Sequence, residues 1–304
     1  MKASVALLLV VFVAAIYRFQ ATPPSASKSS PFSEARADRD LRTIVGFGPR
    51  PAGSEALAKA RSYIVSELSK VGLKPQLDEF DARTPKGFRH MVNIRAMRPG
   101  LKPTIIALTG HYDTKVFDRF SFTGANDGGS STAWLLEFAR AAERLKLENT
   151  LEFVFFDGEE AVVEWTDEDS VYGSRHDVDR RYRDRKLNDL KAMILVDMIG
   201  DRNLNIRQER QSTSWLKNLI WDTAHSMGYT KEFPNEQIEI SDDHVPYLKA
   251  AIPSADLIDF DYPCWHQACD TLDKVSAHSL KIVGDVVYFS LPEIDRRVSQ
   301  SPNR

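Results

Sequence analysis

Five side chains of the types that bind metal ions occur along the chain, and nearly all of them lie just beyond an apolar run. They are His111, Asp127, Glu160, Asp197 and His266. Two imidazoles and three carboxylates form a mixed nitrogen and oxygen ligand set, which suits zinc because this ion imposes little geometry of its own. Glu159 stands beside a proposed ligand, where metal-assisted chemistry needs a general base. The pattern predicts a metalloenzyme.

No single motif carries this prediction, because a lone histidine or an acidic pair after a strand is usually structural. The order of the motifs and the repeated placement of an acid after an apolar run carry it. Buried carboxylates without a cation repel one another, and their pKa values rise. A divalent cation removes that repulsion, so a shared metal site explains why so many acids follow apolar segments.

The elements that must position these residues alternate between strands and helices. Four apolar runs predicted as strands lead to the chemical residues: 104–109 before His111, 151–156 before Glu159, 192–196 before Asp197 and 253–260 before His266. Weaker strand patterns cover 76–80 and 90–97. Helical periodicity covers 41–45, 57–68, 130–145, 215–227 and 279–289. This alternation predicts an α/β three-layer sandwich, with a mixed, mostly parallel central sheet flanked by helices. In such sheets, sites lie beyond the carboxyl ends of the strands.

Composition is that of a globular protein with a sizeable core. The chain has 304 residues, of which 42% are hydrophobic and 27% charged. The formal net charge is −3, with acids and bases interspersed, so nucleic acid is not an expected partner. The basic cluster at residues 180–186 is interpreted as an exposed helix face.

The two ends of the chain are predicted to lie outside the catalytic domain. Residues 1–21 combine Lys2 with an apolar stretch of secretory-signal length, and an uncleaved N-terminal anchor is the alternative. Residues 22–37 are rich in Pro, Ser and Ala and predict a flexible linker. A single catalytic α/β domain is expected at 38–296, followed by a tail at 297–304. An exported enzyme, periplasmic or secreted, follows from the leader.

The chain's two cysteines, Cys264 and Cys269, flank His266. A disulfide between them would brace the loop that holds a predicted ligand. Two buried thiols are the other interpretation, and a thiolate ligand to the metal is a third. The sequence leaves these alternatives open.

The series H-Y-D, N-D-G, G-E-E, V-D and H-x-x-x-D-T resembles the zinc aminopeptidase family, which is built on a mixed sheet sandwiched by helices. Within that fold, the chain looks most like the glutaminyl cyclases, the animal-type glutaminyl-peptide cyclotransferases. The most specific stretch is residues 155–176, where an insertion carrying Trp165 separates Glu160 from Gly173. The segment 242–248 and the pair Trp265 and His266 are also similar to cyclases.

This resemblance implies roles for individual residues. Zinc would be bound by Asp127, Glu160 and His266. Glu159 would be the proton shuttle, with Asp197 and Asp242 as a carboxylate network behind it. The substrate pocket would be lined by Trp165, Trp265, Tyr262 and Ile258. His111 and Asp197 match the second-metal ligands of the peptidases, so ligand counting does not separate a one-zinc cyclase from a two-zinc peptidase.

The resemblance implies conversion of the N-terminal glutamine of a peptide or protein into pyroglutamate with release of ammonia. The nucleophile is the substrate's own α-amine, so no activated water is needed and one zinc acting as a Lewis acid is enough. Peptide N-termini are the expected partners, and a monomer is the expected state.

Two features depart from the cyclase pattern. Residues 266–274 resemble the ending of aminopeptidases, and Gly110 stands where secreted animal cyclases have a disulfide-forming cysteine. A two-zinc aminopeptidase in which Glu159 activates a bridging water is therefore the alternative function. A catalytically inactive binding module is a third, and the intact Glu159 argues against it.

Overall fold

The computed structural model describes residues 29–300, and its core is one six-stranded sheet in the order β1-β2-β4-β3-β5-β8. The strands of this sheet are β1 (Gln76–Thr84), β2 (Gly87–Arg98), β3 (Lys102–His111), β4 (Asn149–Phe156), β5 (Leu190–Asp197) and β8 (Ser254–Ile258). Strands β4, β3, β5 and β8 run parallel, whereas β1 and β2 are antiparallel additions at one edge. A separate small sheet pairs β6 (Gln208–Glu209) with β7 (Gln237–Ile238).

The register brings the carboxyl ends of the parallel strands to one edge. His111, the last residue of β3, pairs with Phe156 at the end of β4. Asp197, the last residue of β5, pairs with Ile258 at the end of β8. Every segment that follows these strands therefore starts from the same edge of the sheet.

Helices cover both faces of the sheet. They are α1 (Glu34–Gly46), α2 (Glu55–Lys70), α3 (Gly129–Ala141), α4 (Tyr172–Arg183), α5 (Ser214–Ser226), α6 (His244–Lys249) and α7 (Ala277–Gln300). On one face, Ile106 and Leu108 of β3 join a large apolar core with the helices α1, α2, α3, α5 and α7. On the other, Ile105 and Ala107 pack in a smaller core with Tyr247 of α6. The alternation along β3 buries both faces, and the predicted three-layer α/β sandwich with a mixed, mostly parallel sheet is confirmed.

The predicted linker 22–37 is wrong at its C-terminal end. Phe32 is only 3% exposed and packs in the large core, and Ser33 caps α1 by accepting a hydrogen bond from the Arg36 N–H. The backbone N–H of Ser30 donates to Asp285 of α7 at 3.0 Å. Phe32, Ser30 and Ser33 thus anchor this segment, which belongs to the domain. The predicted leader and the rest of the linker lie outside the described residues.

Helix α7 also extends further than the sequence predicted. It continues through Pro292 to Gln300, so part of the predicted tail 297–304 is helical. Proline removes one backbone donor, but Ile294 and Val298 beyond it are buried in the large core, and that packing outweighs the lost hydrogen bond.

The basic cluster is not simply a solvated helix face. Arg181 of α4 is 1% exposed, and its guanidinium contacts Asp177 at 2.6 Å and Glu152 of β4 at 2.5 Å. Two buried carboxylates thus neutralise this cation, while Arg183, Arg185 and Lys186 of the same cluster are exposed. Among residues 29–300, no helix is long and apolar enough to cross a membrane.

Candidate active site

Three predicted residues meet where β3 and β5 end. The imidazole Nε2 of His111 lies 3.2 Å from Asp127 Oδ1 and 3.1 Å from Asp197 Oδ1. All three side chains are buried, and one ligand atom from each lies within 4.8 Å of the others. This geometry is compatible with a shared cation.

A second triad lies beside the first and shares Asp127. The Nε2 atom of His266 lies 3.3 Å from Glu160 Oε1 and 3.4 Å from Asp127 Oδ2. Asp127 Oδ2 and Glu160 Oε2 are buried, and neither atom has a hydrogen-bond partner within the described part of the chain. Buried carboxylate oxygens without a partner are costly, so both atoms fit a divalent cation held by two carboxylates and one imidazole.

The loop that carries Asp127 approaches β3 closely. Gly128 has a φ of +75°, and a Cβ built on it would lie 2.4 Å from the carbonyl oxygen of Asp113 and 3.1 Å from the His111 ring. Only glycine fits this position. The glycine pair of the N-D-G-G motif therefore lets Asp127 lie against His111 at the start of α3.

Two buried aspartates hold the ligand loops together. Asp113 accepts hydrogen bonds from the backbone N–H groups of Glu159 at 3.2 Å and Glu160 at 3.3 Å. Asp270 accepts from the backbone N–H groups of Asn126 at 2.8 Å and Asp127 at 3.2 Å. Sequence reasoning assigned no role to either aspartate, although both stand inside the quoted motifs H-Y-D and H-x-x-x-D-T.

Burial and charge shift the pKa values of the acids in opposite directions. Burial raises the pKa of Glu159 well above its usual range, and the carboxylates of Glu160 and Asp242 raise it further against the opposing effect of His111. Burial also raises the pKa of Asp242, with Asp197 as the main charged neighbour. For Asp127, burial is outweighed by the hydrogen bond and charge of His111, and the pKa is lowered. Neighbouring carboxylates therefore have different tendencies to hold a proton.

A cavity of about 580 Å³ opens onto the second triad. It is lined by Lys115, Asp127, Glu159, Glu160, Val163, Glu164, Trp165, Asp197, Met198, Glu239, Ile240, Ser241, Asp242, Ile258, Phe260, Trp265 and His266. The structure thus brings the predicted residues Trp165, Trp265 and Ile258 to the same cavity as the predicted acids. Acidic and aromatic side chains both line it, and a few polar groups among apolar and aromatic side chains are the usual composition of a small-ligand site.

Tyr262 does not line this cavity, so its predicted place in the pocket wall is wrong. The chain turns after β8, and the Tyr262 side chain is buried beneath the loop, where its hydroxyl donates to Asp270 Oδ1 at 2.8 Å. Phe260 and Ile240 line the cavity instead, and both were missed. Ile240 stands two residues before Asp242, in a segment without a clear strand or helix pattern, so no sequence signal indicated its place.

The insertion after Glu160 is held by one carboxylate. Asp169 accepts hydrogen bonds from the backbone N–H groups of Val162, Val163 and Glu164 at 2.8–3.0 Å. Trp165 follows directly and is 38% exposed at the cavity mouth. The insertion is therefore an ordered turn that presents an aromatic ring to the cavity.

The loop that carries His266 is closed by a disulfide between Cys264 and Cys269. The disulfide was one of three interpretations that the sequence left open, and the structure rules out the other two, free thiols and a thiolate ligand. His266 has a φ of +53°, in the left-handed region, and the Trp265 ring stacks on its imidazole at 4.4 Å between centroids. The backbone conformation and the stacking together orient His266 so that Nε2 faces Asp127 and Glu160.

The fold and the two triads define a class, that of peptidase-like proteins built on a mixed sheet. The model of peptidase family M28 matches residues 93–290, and the chain belongs to this family. A solved Zn-dependent exopeptidase from Parabacteroides distasonis superposes with a TM-score of 0.79 at 26% identity, covering 90% of this chain and 100% of that one.

Within that class, the chain belongs with the glutaminyl cyclases. A solved glutaminyl cyclase of an Acidobacteriales bacterium superposes with a TM-score of 0.83 at 35% identity, covering 91% of this chain and 99% of that one. The glutaminyl-peptide cyclotransferase of Dictyostelium discoideum is 29% identical over 273 residues, which span 73% of this chain and 75% of that protein.

Proposed function

We propose that the protein is a glutaminyl-peptide cyclotransferase. The α-amine of an N-terminal glutamine would attack the carbon of its own γ-carboxamide, forming the ring C–N bond as ammonia leaves. The observation that supports this best is the aromatic cavity over the second triad, where Trp165 and Trp265 flank a space that also exposes Glu159. The similarity to glutaminyl cyclases supports the same activity.

Asp127, Glu160 and His266 would hold one zinc ion. Their donor set suits this ion, and two of their buried oxygens lack other partners in the described chain. When bound, zinc would act as a Lewis acid on the γ-carboxamide oxygen of the substrate. By holding the ion, the three residues would also fix the orientation of that carboxamide relative to the tethered amine. An intramolecular reaction gains much of its rate from such a fixed orientation of the reacting groups.

Glu159 would be the proton shuttle. It lines the cavity next to the ligand Glu160, and its raised pKa brings it closer to the range in which a carboxyl group both accepts and donates a proton. It would take a proton from the attacking amine and deliver one to the departing ammonia.

Asp197 and Asp242 would form the carboxylate network behind the shuttle. Both line the cavity, and the charge of Asp197 contributes to the raised pKa of Asp242. Two interacting acids of this kind share a proton, and their apparent pKa values describe the pair and not either residue alone. A shared proton would keep the negative charge beside Glu159 low enough for Glu159 to ionise.

The substrate side chain would lie between Trp165, Trp265, Ile258 and Phe260. These residues give the cavity an apolar part beside its acidic side chains. The apolar part suits the methylene groups of a glutamine side chain, and the acidic side chains suit a cationic peptide N-terminus. Peptide and protein N-termini are therefore the proposed substrates.

A two-zinc aminopeptidase is the second candidate. One observation favours it, namely that His111, Asp127 and Asp197 form a second complete triad sharing Asp127. In that case Glu159 would activate a water, and the product would be a free amino acid. The two activities differ in their products, so one assay separates them.

The test is mass spectrometry of peptides incubated with zinc-loaded protein. A cyclotransferase makes a glutamine-initiated peptide lighter by one ammonia and leaves an alanine-initiated peptide unchanged. An aminopeptidase shortens both peptides by one residue, and that result would replace the proposed function with the second candidate.

Export and a monomeric state are also proposed. Export rests on the basic start and apolar stretch of residues 1–21, which lie outside the described residues. A periplasmic or secreted enzyme would meet the oxidising conditions in which a disulfide such as Cys264–Cys269 persists.

A further inference from the structure

The disulfide between Cys264 and Cys269 encloses a short ring of chain with His266 inside it. Within this ring, the Gln267 N–H donates to the Cys264 carbonyl oxygen at 3.0 Å. His266 itself adopts the left-handed conformation, which a residue with a Cβ occupies only when its surroundings impose it. The disulfide-closed loop thus contains a histidine whose backbone has an unusual conformation.

The other contacts of the His266 ring are mainly with aromatic side chains. Trp265 stacks on it, and the rings of Phe117 and Phe122 meet it edge to face at 5.4 and 5.9 Å between centroids. Trp265 is itself 39% exposed. Such contacts limit ring rotation but do not fix the backbone conformation. The disulfide adds a covalent constraint on the backbone that carries Nε2.

The disulfide is accessible from solvent on one side. Cys269 is exposed, whereas Cys264 is buried against Met198, Ile258 and Tyr262. The exposure of Cys269 offers a reductant an approach to the disulfide, and the buried Cys264 would remain in its apolar surroundings after the bond is broken.

We propose that the Cys264–Cys269 disulfide is a positioning element for His266 and makes the metal affinity of the second triad depend on redox state. Reduction of the S–S bond by a dithiol yields two cysteine thiols and the oxidised dithiol, so two electrons and two protons pass to the protein. The loop then gains backbone freedom, and His266 spends less time facing Asp127 and Glu160. This inference rests on the proposed role of His266 as a zinc ligand.

The experiment measures zinc affinity of the purified full-length protein by competition with a chromophoric chelator. The protein is compared before and after treatment with a trialkylphosphine, which itself becomes the phosphine oxide by taking oxygen from water. Loss of an interaction that orients a metal ligand typically weakens binding by about 10- to 100-fold, and we expect at least about a tenfold loss here. The double variant Cys264→Ser, Cys269→Ser should show the same weak affinity and no response to phosphine.

Circular dichroism and thermal unfolding without zinc serve as the readouts of fold. The proposal predicts an unchanged fold after reduction, with a smaller rise in melting temperature on zinc addition. Undiminished zinc affinity in the reduced protein would overturn the proposal, as would tighter binding through the new thiols. A general loss of fold on reduction would also overturn it, because the disulfide would then support the domain and not the ligand.

The variant His266→Ala separates this inference from the proposed function. If the oxidised protein binds zinc no better than His266→Ala, the proposed metal site itself fails. If the oxidised protein binds zinc tightly and reduction has no effect, only the role of the disulfide fails.

Discussion

The backbone N–H of Asp127 donates a hydrogen bond to the carboxylate of Asp270 at 3.2 Å, which ties two distant segments of the chain together. Asp270 lies four residues after His266, and Asp127 begins the turn into α3. The same carboxylate also accepts from the Tyr262 hydroxyl. One buried aspartate thus fixes the spacing of two residues of the second triad.

Asp270→Asn should therefore weaken metal binding without removing a ligand. In wild type, the two carboxylate oxygens of Asp270 accept from the backbone N–H groups of Asn126 and Asp127. The asparagine amide has only one acceptor oxygen, so the Asp127 loop would be held less firmly. We expect about a tenfold loss of zinc affinity in chelator competition, the size typical for partners that orient metal ligands. Asp273→Asn, an exposed change three residues away, is the matched control. Equal zinc affinity in Asp270→Asn and wild type would show that this contact does not position the site.

Glu159→Gln should abolish turnover while zinc content and fold remain. Glutamine keeps the shape of the side chain but cannot exchange a proton at neutral pH, so kcat should fall by about 10²- to 10⁴-fold. Steady-state ammonia release measures kcat, and metal analysis measures zinc. Glu168→Gln, on the exposed part of the insertion, should retain wild-type kcat. A Glu159→Gln protein with normal kcat would refute the proton-shuttle role.

Trp165→Ala should weaken substrate binding and spare the metal site. The Trp165 ring lines the cavity, and it stands outside both triads of candidate ligands. Loss of a contact of this kind costs about 1–2 kcal/mol, so KM should rise about tenfold with zinc affinity unchanged. Trp215→Ala, at the start of α5 and outside the cavity lining, should leave KM unchanged. Zinc loss in Trp165→Ala would assign the residue a structural role instead.

The buried ion pairs of Asp177 predict how stability depends on pH. Arg181 and Arg180 outweigh the effect of burial and lower the pKa of Asp177 to about 2. The unfolded-state pKa is about 3.9, so this carboxylate stabilises the fold fully above that pH and loses its contribution as the pH falls towards 2.

Asp177→Asn should destabilise the protein by about 2–3 kcal/mol at pH 7, because Arg181 then keeps only Glu152 as a buried partner. Urea unfolding at pH 7 and at successively lower pH measures the difference from wild type, which should narrow below about pH 4. Asp179→Asn, exposed on the same helix, is the control. A difference that stays constant with pH would contradict the assigned ion pair.

The sequence predicted the strand ends well and the loops poorly. Uninterrupted apolar runs can only be buried strands here, so His111 and Asp197 were correctly expected at one edge of the sheet. The direction of a side chain in an irregular loop has no comparable period. The resemblance to cyclases placed Tyr262 on the cavity wall, but its hydroxyl donates to Asp270 and its side chain is buried.

Packing between distant segments explains the remaining differences. The composition of residues 29–37 resembles a linker, and only the apolar surroundings of Phe32 in the folded core show that this segment is anchored. The predicted helix 279–289 stopped short for the same reason, since local periodicity omits the burial of Val298 beyond Pro292. Whether Cys264 and Cys269 could pair depended on the loop's geometry, which the four intervening residues do not specify.

The most direct test is an anomalous difference map at the zinc absorption edge from crystals grown with zinc. We predict one strong peak within coordination distance of Asp127, Glu160 and His266, at about 2.0–2.2 Å from one donor atom of each. A second peak of equal height among His111, Asp127 and Asp197 would favour the two-zinc aminopeptidase. A zinc-loaded crystal with no peak at the second triad would contradict the proposed metal site and the mechanism that depends on it.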